Sequence, residues 1–172
     1  KKITIYITNV TYWLEELKLW NLLDDEIKTI YLPDKRISMF PNEFIHLCSL
    51  KQYSIRIALC INVFIRSNKV IEVNYQNKLV RINKNFVYET NELFNNAIYN
   101  NVLKCTRKLS KDVNNSFDLV KYWMVFVNKH FGQIFSLCDI GVYKIDYQQY
   151  DDETKSEIIK KNGIKHYELN NE

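Results

Sequence analysis

The residues best suited to bind a ligand lie between residues 95 and 111, where amide side chains are followed by cations. Amides can read base edges and cations can contact phosphates, so the segment offers both kinds of group that bind nucleic acid. In a helix, Lys104, Arg107 and Lys108 would fall largely opposite an apolar row, although this pattern is also typical of a merely solvated helix face. We predict a DNA-binding site composed of these groups and two later lysines: Asn100, Asn101, Lys104, Arg107, Lys108, Lys111, Lys121 and Lys129.

Charge is distributed unevenly along the chain, although the formal net charge is only +4. Between residues 99 and 132, six Lys or Arg residues face two Asp residues, whereas between residues 15 and 34 six acidic residues face two lysines. This asymmetry predicts one positive face on the protein surface. Polyanions are therefore the expected partners.

Sequence signatures of catalysis are missing. Three glycines cannot supply a phosphate-binding loop, and neither G-x-S-x-G nor H-E-x-x-H occurs. A divergent metal-dependent nuclease is the weakest of our three interpretations, based on Asp118, Asp139 and Asp146 near the ends of predicted elements. We predict no catalysis, no cofactor, no metal site and no small-molecule substrate.

The cysteines and the hydropathy pattern bear on the cellular compartment. Four separated cysteines without a C-x-x-C motif predict free core thiols in a reducing cytoplasm, with two disulfides in a secreted domain as the alternative. The longest apolar run, residues 57–65, is far shorter than the roughly 20 residues that span a bilayer. We expect a soluble cytoplasmic protein without a membrane partner.

Hydrophobic spacing predicts the elements that must position these groups. Residues 1–8 read as a strand, followed by a helix capped by Asn9 or Thr11 that runs to about residue 23. Residues 27–40 predict a hairpin that turns at residues 33–35, and a short helix begins at Pro41. Residues 49–68 predict the central core helix, with a capping box formed by Ser49 and Gln52.

The second half of the chain predicts a similar mixture of helices and strands. Residues 70–83 read as two strands around Gln76 and Asn77, and residues 91–113 as a helix. A strand over 140–147, a helix over 151–163 and a strand over 164–169 would follow. The predicted buried row of the 91–113 helix consists of Phe94, Ile98, Val102, Cys105 and Leu109.

Residues 116–137 admit two interpretations. Three-four spacing indicates a helix, with a stripe formed by Phe117, Val120, Met124, Val127, Phe131, Ile134 and Cys138. Abundant β-branched and aromatic residues followed by turn residues at 128–132 indicate a hairpin. We predict the hairpin, because a helix would be apolar nearly all round and would contain Gly132 at a cost of about 1 kcal/mol.

Three segments occur in an order that is known from one protein family. Residues 53–56 (Tyr-Ser-Ile-Arg) match a leading helix, and residues 102–104 (Val-Leu-Lys) match the entry to a basic recognition helix. A Tyr-containing wing is matched by Phe117, Asp118, Val120, Tyr122, Lys129 and Gly132. Over about residues 31–147 the chain thus resembles the winged-helix domain of plasmid replication initiator proteins. The hairpin predicted at 70–83 and a less basic wing depart from that family.

The resemblance implies sequence-specific binding of double-stranded DNA at repeated origin sites, without catalysis by this domain. Arg107, Lys108 and Lys111 would then serve the groove and phosphates, and Lys121 and Lys129 the wing.

The expected fold is a single α+β domain over residues 1–172 with a winged-helix-like helical core and β-hairpins. The alternative is a mainly helical α+β domain with a long helix near 116–137. The expected function is double-stranded DNA binding in plasmid replication initiation or transcriptional regulation, with a homodimer as a further expectation. The alternative is a protein-protein interaction or structural domain of a small viral or bacterial protein, which binds its partner through exposed aromatic residues; the 14% aromatic content favours it.

Overall fold

Residues 1–22 and 29–141 are described by the structure, which is a computed structural model of the chain. They divide into two units, one comprising Lys1–Ser116 and the other beginning at Phe117. In chain order the elements are β1 (Lys2–Thr8), α1 (Val10–Glu16), a 3-10 turn (Trp20–Leu22), β2 (Ile30–Tyr31), β3 (Arg36–Ile37), α2 (Asn42–Cys48), β4 (Ile55–Arg66), β5 (Lys69–Arg81), α3 (Asn91–Phe94), α4 (Ala97–Arg107) and α5 (Ser116–Leu137).

The first unit is built on a three-stranded antiparallel sheet in which β4 lies between β1 and β5. β4 is shielded on both faces, and Ile61 and Val63 are fully buried. Ile3 of β1 and Val73 of β5 pair with Val63 from either side. A strand that is buried on both faces carries an almost continuous apolar run, as residues 55–65 do.

The predicted central helix over residues 49–68 is therefore wrong, because an apolar run of this length fits a doubly buried strand as well as a helix. Its capping box is wrong too. The Ser49 hydroxyl donates to the carbonyl oxygen of Ile45 at 2.6 Å, and the Gln52 side chain accepts from the backbone N–H of Asn85.

β4 and β5 form a long hairpin with a two-residue turn at Ser67 and Asn68. Both residues have positive φ, 49° and 59°, as a type I′ turn requires. The strand pair predicted around Gln76 and Asn77 is wrong, because those residues lie inside the single strand β5.

A row of polar side chains crosses the sheet. The Thr4 hydroxyl donates to Oδ1 of the buried Asn62 at 2.9 Å, and Nδ2 of Asn62 donates to Oδ1 of Asn74 at 3.0 Å. Nδ2 of Asn74 in turn donates to Glu72 at 3.1 Å. These bonds satisfy a buried amide that would otherwise destabilise the sheet.

The segment between β1 and β4 follows the sequence prediction more closely. Asn9 caps α1 by accepting from the backbone N–H of Tyr12 at 3.0 Å. The β2–β3 hairpin turns where predicted, and α2 begins after Pro41, also as predicted. α1 ends at Glu16, well before the predicted residue 23. Leu14, Phe44 and Cys48 form the centre of an apolar cluster that joins α1 to α2.

The helix predicted over residues 91–113 is two helices, α3 and α4. Asn96 separates them because its side chain accepts from the backbone N–H of Tyr99 at 2.9 Å and so starts a new helix. The predicted buried row is partly wrong, since Phe94 and Ile98 are exposed. The buried side chains of the two helices are Leu93, Leu103, Cys105 and Thr106.

Residues 116–137 form one helix, α5, so the predicted wing is wrong, and the winged-helix fold with it. Leu119, Trp123 and Val127, spaced four residues apart, are its buried apolar side chains, whereas Phe117 and Met124 of the predicted stripe are exposed. Gly132 lies inside the helix. The strand predicted over 140–147 lies almost wholly outside the described residues. The helix predicted over 151–163 and the strand predicted over 164–169 lie entirely outside them. The single-domain prediction stays a prediction.

All four cysteines are free thiols; Cys48, Cys60 and Cys105 are buried and Cys138 is exposed. Burial raises the pKa of the Cys48 and Cys60 thiols, which lowers their thiolate fraction at neutral pH. Within the described residues, no helix is both long and apolar enough to cross a membrane.

We expect a thiol reagent at neutral pH to modify Cys138 first, because this thiol is accessible and the others are shielded. Peptide mass spectrometry after brief labelling measures the order, and a Cys138→Ser variant should lose the fast phase. Equally rapid labelling of Cys60 in the folded protein would contradict the burial described above.

Candidate nucleic-acid interface

A groove of about 780 Å³ lies between the beginning of β1 and the exposed side of α4, within the first unit. Five of its lining residues are cationic, one carries an amide, and the remaining four are Ile, Val or Cys. The lining consists of Lys1, Lys2, Ile3, Ile98, Asn101, Val102, Lys104, Cys105, Arg107 and Lys108.

The sequence of α4 places these groups on one side of the helix. Asn101, Lys104 and Lys108 follow at intervals of three and four residues, which keeps them on neighbouring turns. Ile98 and Val102 follow the same spacing and add apolar surface to the groove. The groove therefore combines apolar contact area with positive charge.

The positive charge of the groove is not offset locally. None of the lining residues is acidic. Across residues 1–22 and 29–141 the structure shows an ion pair between Lys84 and Glu92, and none that involves Lys104 or Lys108. An anion that entered the groove would meet exposed ammonium groups from two elements.

The structure brings four of the eight predicted site residues to this groove: Asn101, Lys104, Arg107 and Lys108. Asn100 is directed elsewhere, since its Nδ2 donates to the carbonyl oxygen of Phe94 at 2.7 Å. Lys111 is exposed after α4 and does not line the groove, and Lys121 and Lys129 are exposed on α5 in the second unit. The eight residues therefore do not form one site within either unit.

Two groove residues, Lys1 and Lys2, were missed by the sequence analysis. Both residues lie at the beginning of β1, which tertiary packing places beside α4. Residue spacing gives no signal for such packing between distant segments.

Arg107 lines the groove and also stabilises the loop that follows α4. Its Nε donates to the carbonyl oxygen of Val113 at 2.9 Å, and its Nη2 donates to that of Asn114 at 2.6 Å. The guanidinium thereby holds the loop that follows α4. Lys104 of α4 and Lys108, the C-cap residue of that helix, are the cations that are available to a ligand.

The carboxylates considered for a nuclease do not meet in the structure. Asp118 and Asp139 lie at opposite ends of α5, about 30 Å apart at 1.5 Å per residue, and Asp146 lies outside the described residues. In the described part of the chain, His, Cys, Asp and Glu form no group of three or more that could hold a metal ion.

Residues 1–124, most of the chain and all of the groove, match the family model of the RNB domain. No curated protein matches the chain. The RNB domain belongs to the ribonuclease II/R family of exoribonucleases.

This match overturns the resemblance to winged-helix replication initiators, which rested on short apolar-basic patterns that recur by chance. The prediction of sequence-specific double-stranded DNA binding is wrong, and the protein-interaction alternative fits no better. The prediction that no enzyme is involved is also wrong at the level of the family, because RNB proteins are exoribonucleases. The chain belongs to the RNB domain family.

Proposed function

We propose that this chain binds RNA and that the groove between β1 and α4 holds part of the RNA backbone. One observation carries the proposal: a groove lined by five cations and no carboxylate lies wholly within the residues that match the RNB domain. Because RNB proteins act on RNA, we expect RNA to be the polyanion that this charge attracts.

The groove offers each kind of contact that RNA recognition uses. Lys104 and Lys108, with Lys1 and Lys2 opposite, would neutralise phosphates. The Asn101 amide can donate to and accept from a 2′-hydroxyl or a base edge. Ile98 and Val102 give apolar surface against which a ribose or base can pack.

We expect the double variant Lys104→Ala/Lys108→Ala to bind single-stranded RNA about tenfold more weakly than the wild type at low salt, because two phosphate contacts are lost. Fluorescence anisotropy with a labelled RNA at about 50 and 200 mM salt measures affinity and salt slope, which should fall by about 1.4 for two contacts. A denaturing gel of the same samples separates binding from degradation.

The matched control is Lys111→Ala/Lys121→Ala, which removes the same charge from exposed positions outside the groove. Its affinity should stay within about twofold of the wild type, apart from a weak long-range effect. Equal losses in both variants would show nonspecific attraction, and a DNA strand of the same sequence bound as tightly would argue against RNA as the ligand.

A further inference from the structure

The turn that precedes β4 presents a tyrosine ring to solvent. Tyr53 is 77% exposed, and its backbone has φ of 60°. This left-handed conformation is disfavoured for a residue with a bulky side chain, whereas Asn or Gly adopts it readily. The position therefore holds a residue that the backbone disfavours and that gains little from burial.

The turn is firmly attached to neighbouring structure. The backbone N–H of Tyr53 donates to the carbonyl oxygen of Ile82 at 2.7 Å, and that of Ile82 donates to Ser54 at 2.9 Å. The Asn85 side chain donates to the carbonyl oxygen of Leu50 at 3.0 Å. A ligand that contacts the ring would thus meet a surface that is already fixed, at little cost in conformational entropy.

At the other non-glycine residues with positive φ, the neighbouring structure explains the backbone conformation. Six non-glycine residues of the described chain have positive φ; two of them end helices and two form the β4–β5 turn. A fifth, Glu89, accepts hydrogen bonds from the backbone N–H of Ser116, at 2.9 Å, and from its hydroxyl. Tyr53 is itself the third residue of a turn in which the backbone N–H of Ser54 donates to the carbonyl oxygen of Lys51 at 3.3 Å. The exposed ring is the feature that remains to be explained, and strained positions of this type cluster at binding sites.

The surface around this turn is cationic. Residues 51–56 and 78–85, which adjoin through the pairing of Ile55 with Arg81, contain no carboxylate. Of their five cations, Lys51 and Arg81 lie nearest the turn in sequence and register, and Lys84 is paired with Glu92. Arg56 and Lys78 belong to the opposite face of the sheet, because successive side chains of a strand alternate between its faces. Within the described residues Lys51 and Arg81 form no ion pair, although Nζ of Lys51 contacts Nδ1 of His46. An exposed aromatic ring beside cations without a carboxylate partner suits a nucleobase with its flanking phosphates.

We propose that Tyr53 is a second RNA contact, on which one nucleobase stacks while Lys51 and Arg81 bind the adjacent phosphates. This inference rests on the RNA binding proposed above. The two contacts are separate in space: Ile55 and Phe64, the partner of Lys2, are nine residue steps apart on β4, a distance of about 30 Å. A long RNA can occupy both contacts, whereas a very short one occupies the groove only.

The test compares Tyr53→Asn with Tyr53→Phe in the full chain. Asn suits the left-handed turn and removes the ring, whereas Phe keeps the ring. With a labelled single-stranded RNA of about 20 nucleotides, we expect about 5- to 20-fold weaker binding for the Asn variant and a change below about twofold for the Phe variant. The thermal midpoint of the Asn variant should equal or exceed that of the wild type, which shows that the turn is intact.

The affinity for a trinucleotide distinguishes the Tyr53 contact from the groove. Its affinity should be unchanged in Tyr53→Asn and reduced in Lys104→Ala/Lys108→Ala. Wild-type affinity of Tyr53→Asn for the long RNA would overturn the stacking role while leaving the groove intact. Long RNA that binds the wild type and the groove variant equally well would instead refute the groove, and no RNA binding by the folded wild type would refute both.

Discussion

Replacing Val63 by Asp is expected to unfold the first unit. Val63 is fully buried at the centre of the sheet, between Ile3 and Val73 on the neighbouring strands. An aspartate there would lose about 2 kcal/mol of apolar burial and place an unpaired charge in the core, at a cost of several kcal/mol more. That sum approaches the whole stability of a typical domain, about 5–15 kcal/mol.

Urea denaturation followed by circular dichroism measures the loss, and Ile71→Asp is the matched control. Ile71 is 55% exposed in the bulged part of β5, so the same change there should cost less than about 1 kcal/mol. The pair also distinguishes the strand from the helix predicted for residues 49–68, because helical spacing puts Ile57, Ala58, Ile61, Phe64 and Ile65 in the buried row of that helix and leaves Val63 out. A folded Val63→Asp protein with a wild-type midpoint would contradict the central position of β4.

Replacing Arg107 by Ala is expected to destabilise the protein by about 2 kcal/mol, because two carbonyl oxygens after α4 lose a charged donor. Arg107→Lys is the informative companion, since it keeps the charge of the groove but cannot reproduce the planar pair of donors. Both variants should lower the urea midpoint, and the Lys variant should bind RNA almost as the wild type does.

Chemical denaturation and RNA anisotropy on the same preparations separate the two roles of Arg107. Wild-type stability with weakened RNA binding in both variants would mean that the guanidinium serves the ligand and that its bonds to Val113 and Asn114 contribute little. The site predicted from sequence treated Arg107 as a DNA contact only, because hydrogen bonds to a following loop leave no trace in residue spacing.

Elements that depend on contacts between residues close in sequence could be predicted from the sequence. Asn9 caps α1, the turn after Leu32 closes the β2–β3 hairpin, and Pro41 precedes α2, each through contacts within a few residues. Such signals act over one turn of chain, so one segment suffices to interpret them.

The errors occurred where burial depends on distant partners. β4 reads as a helix until β1 and β5 are placed beside it; the alternation of Ile55, Ile57, Ile61 and Val63 with smaller or polar residues was the available clue. α5 shows the reverse case, because its β-branched and aromatic residues favour a strand locally, and Trp123 is nevertheless buried on a helix. The sequence of each segment by itself therefore does not decide between strand and helix.

The basic groove was half predictable for the same reason. Asn101, Lys104 and Lys108 share a side of α4 through helical spacing and could be recognised together. Lys1 and Lys2 belong to a distant segment and join them only through tertiary packing. The nature of the polyanion is a property of the family, and charge by itself does not distinguish DNA from RNA.

The turn at Ser67 and Asn68 also imposes an order of assembly. β4 and β5 are adjacent in sequence, so their hairpin closes a very short loop and can form on the microsecond timescale. β1 emerges from the ribosome before β4, because its partner residues 58–64 follow some fifty residues later. During synthesis β1 therefore has no partner until β4 has been made, and the free edge of β4 stays open to pairing with other chains until β1 docks.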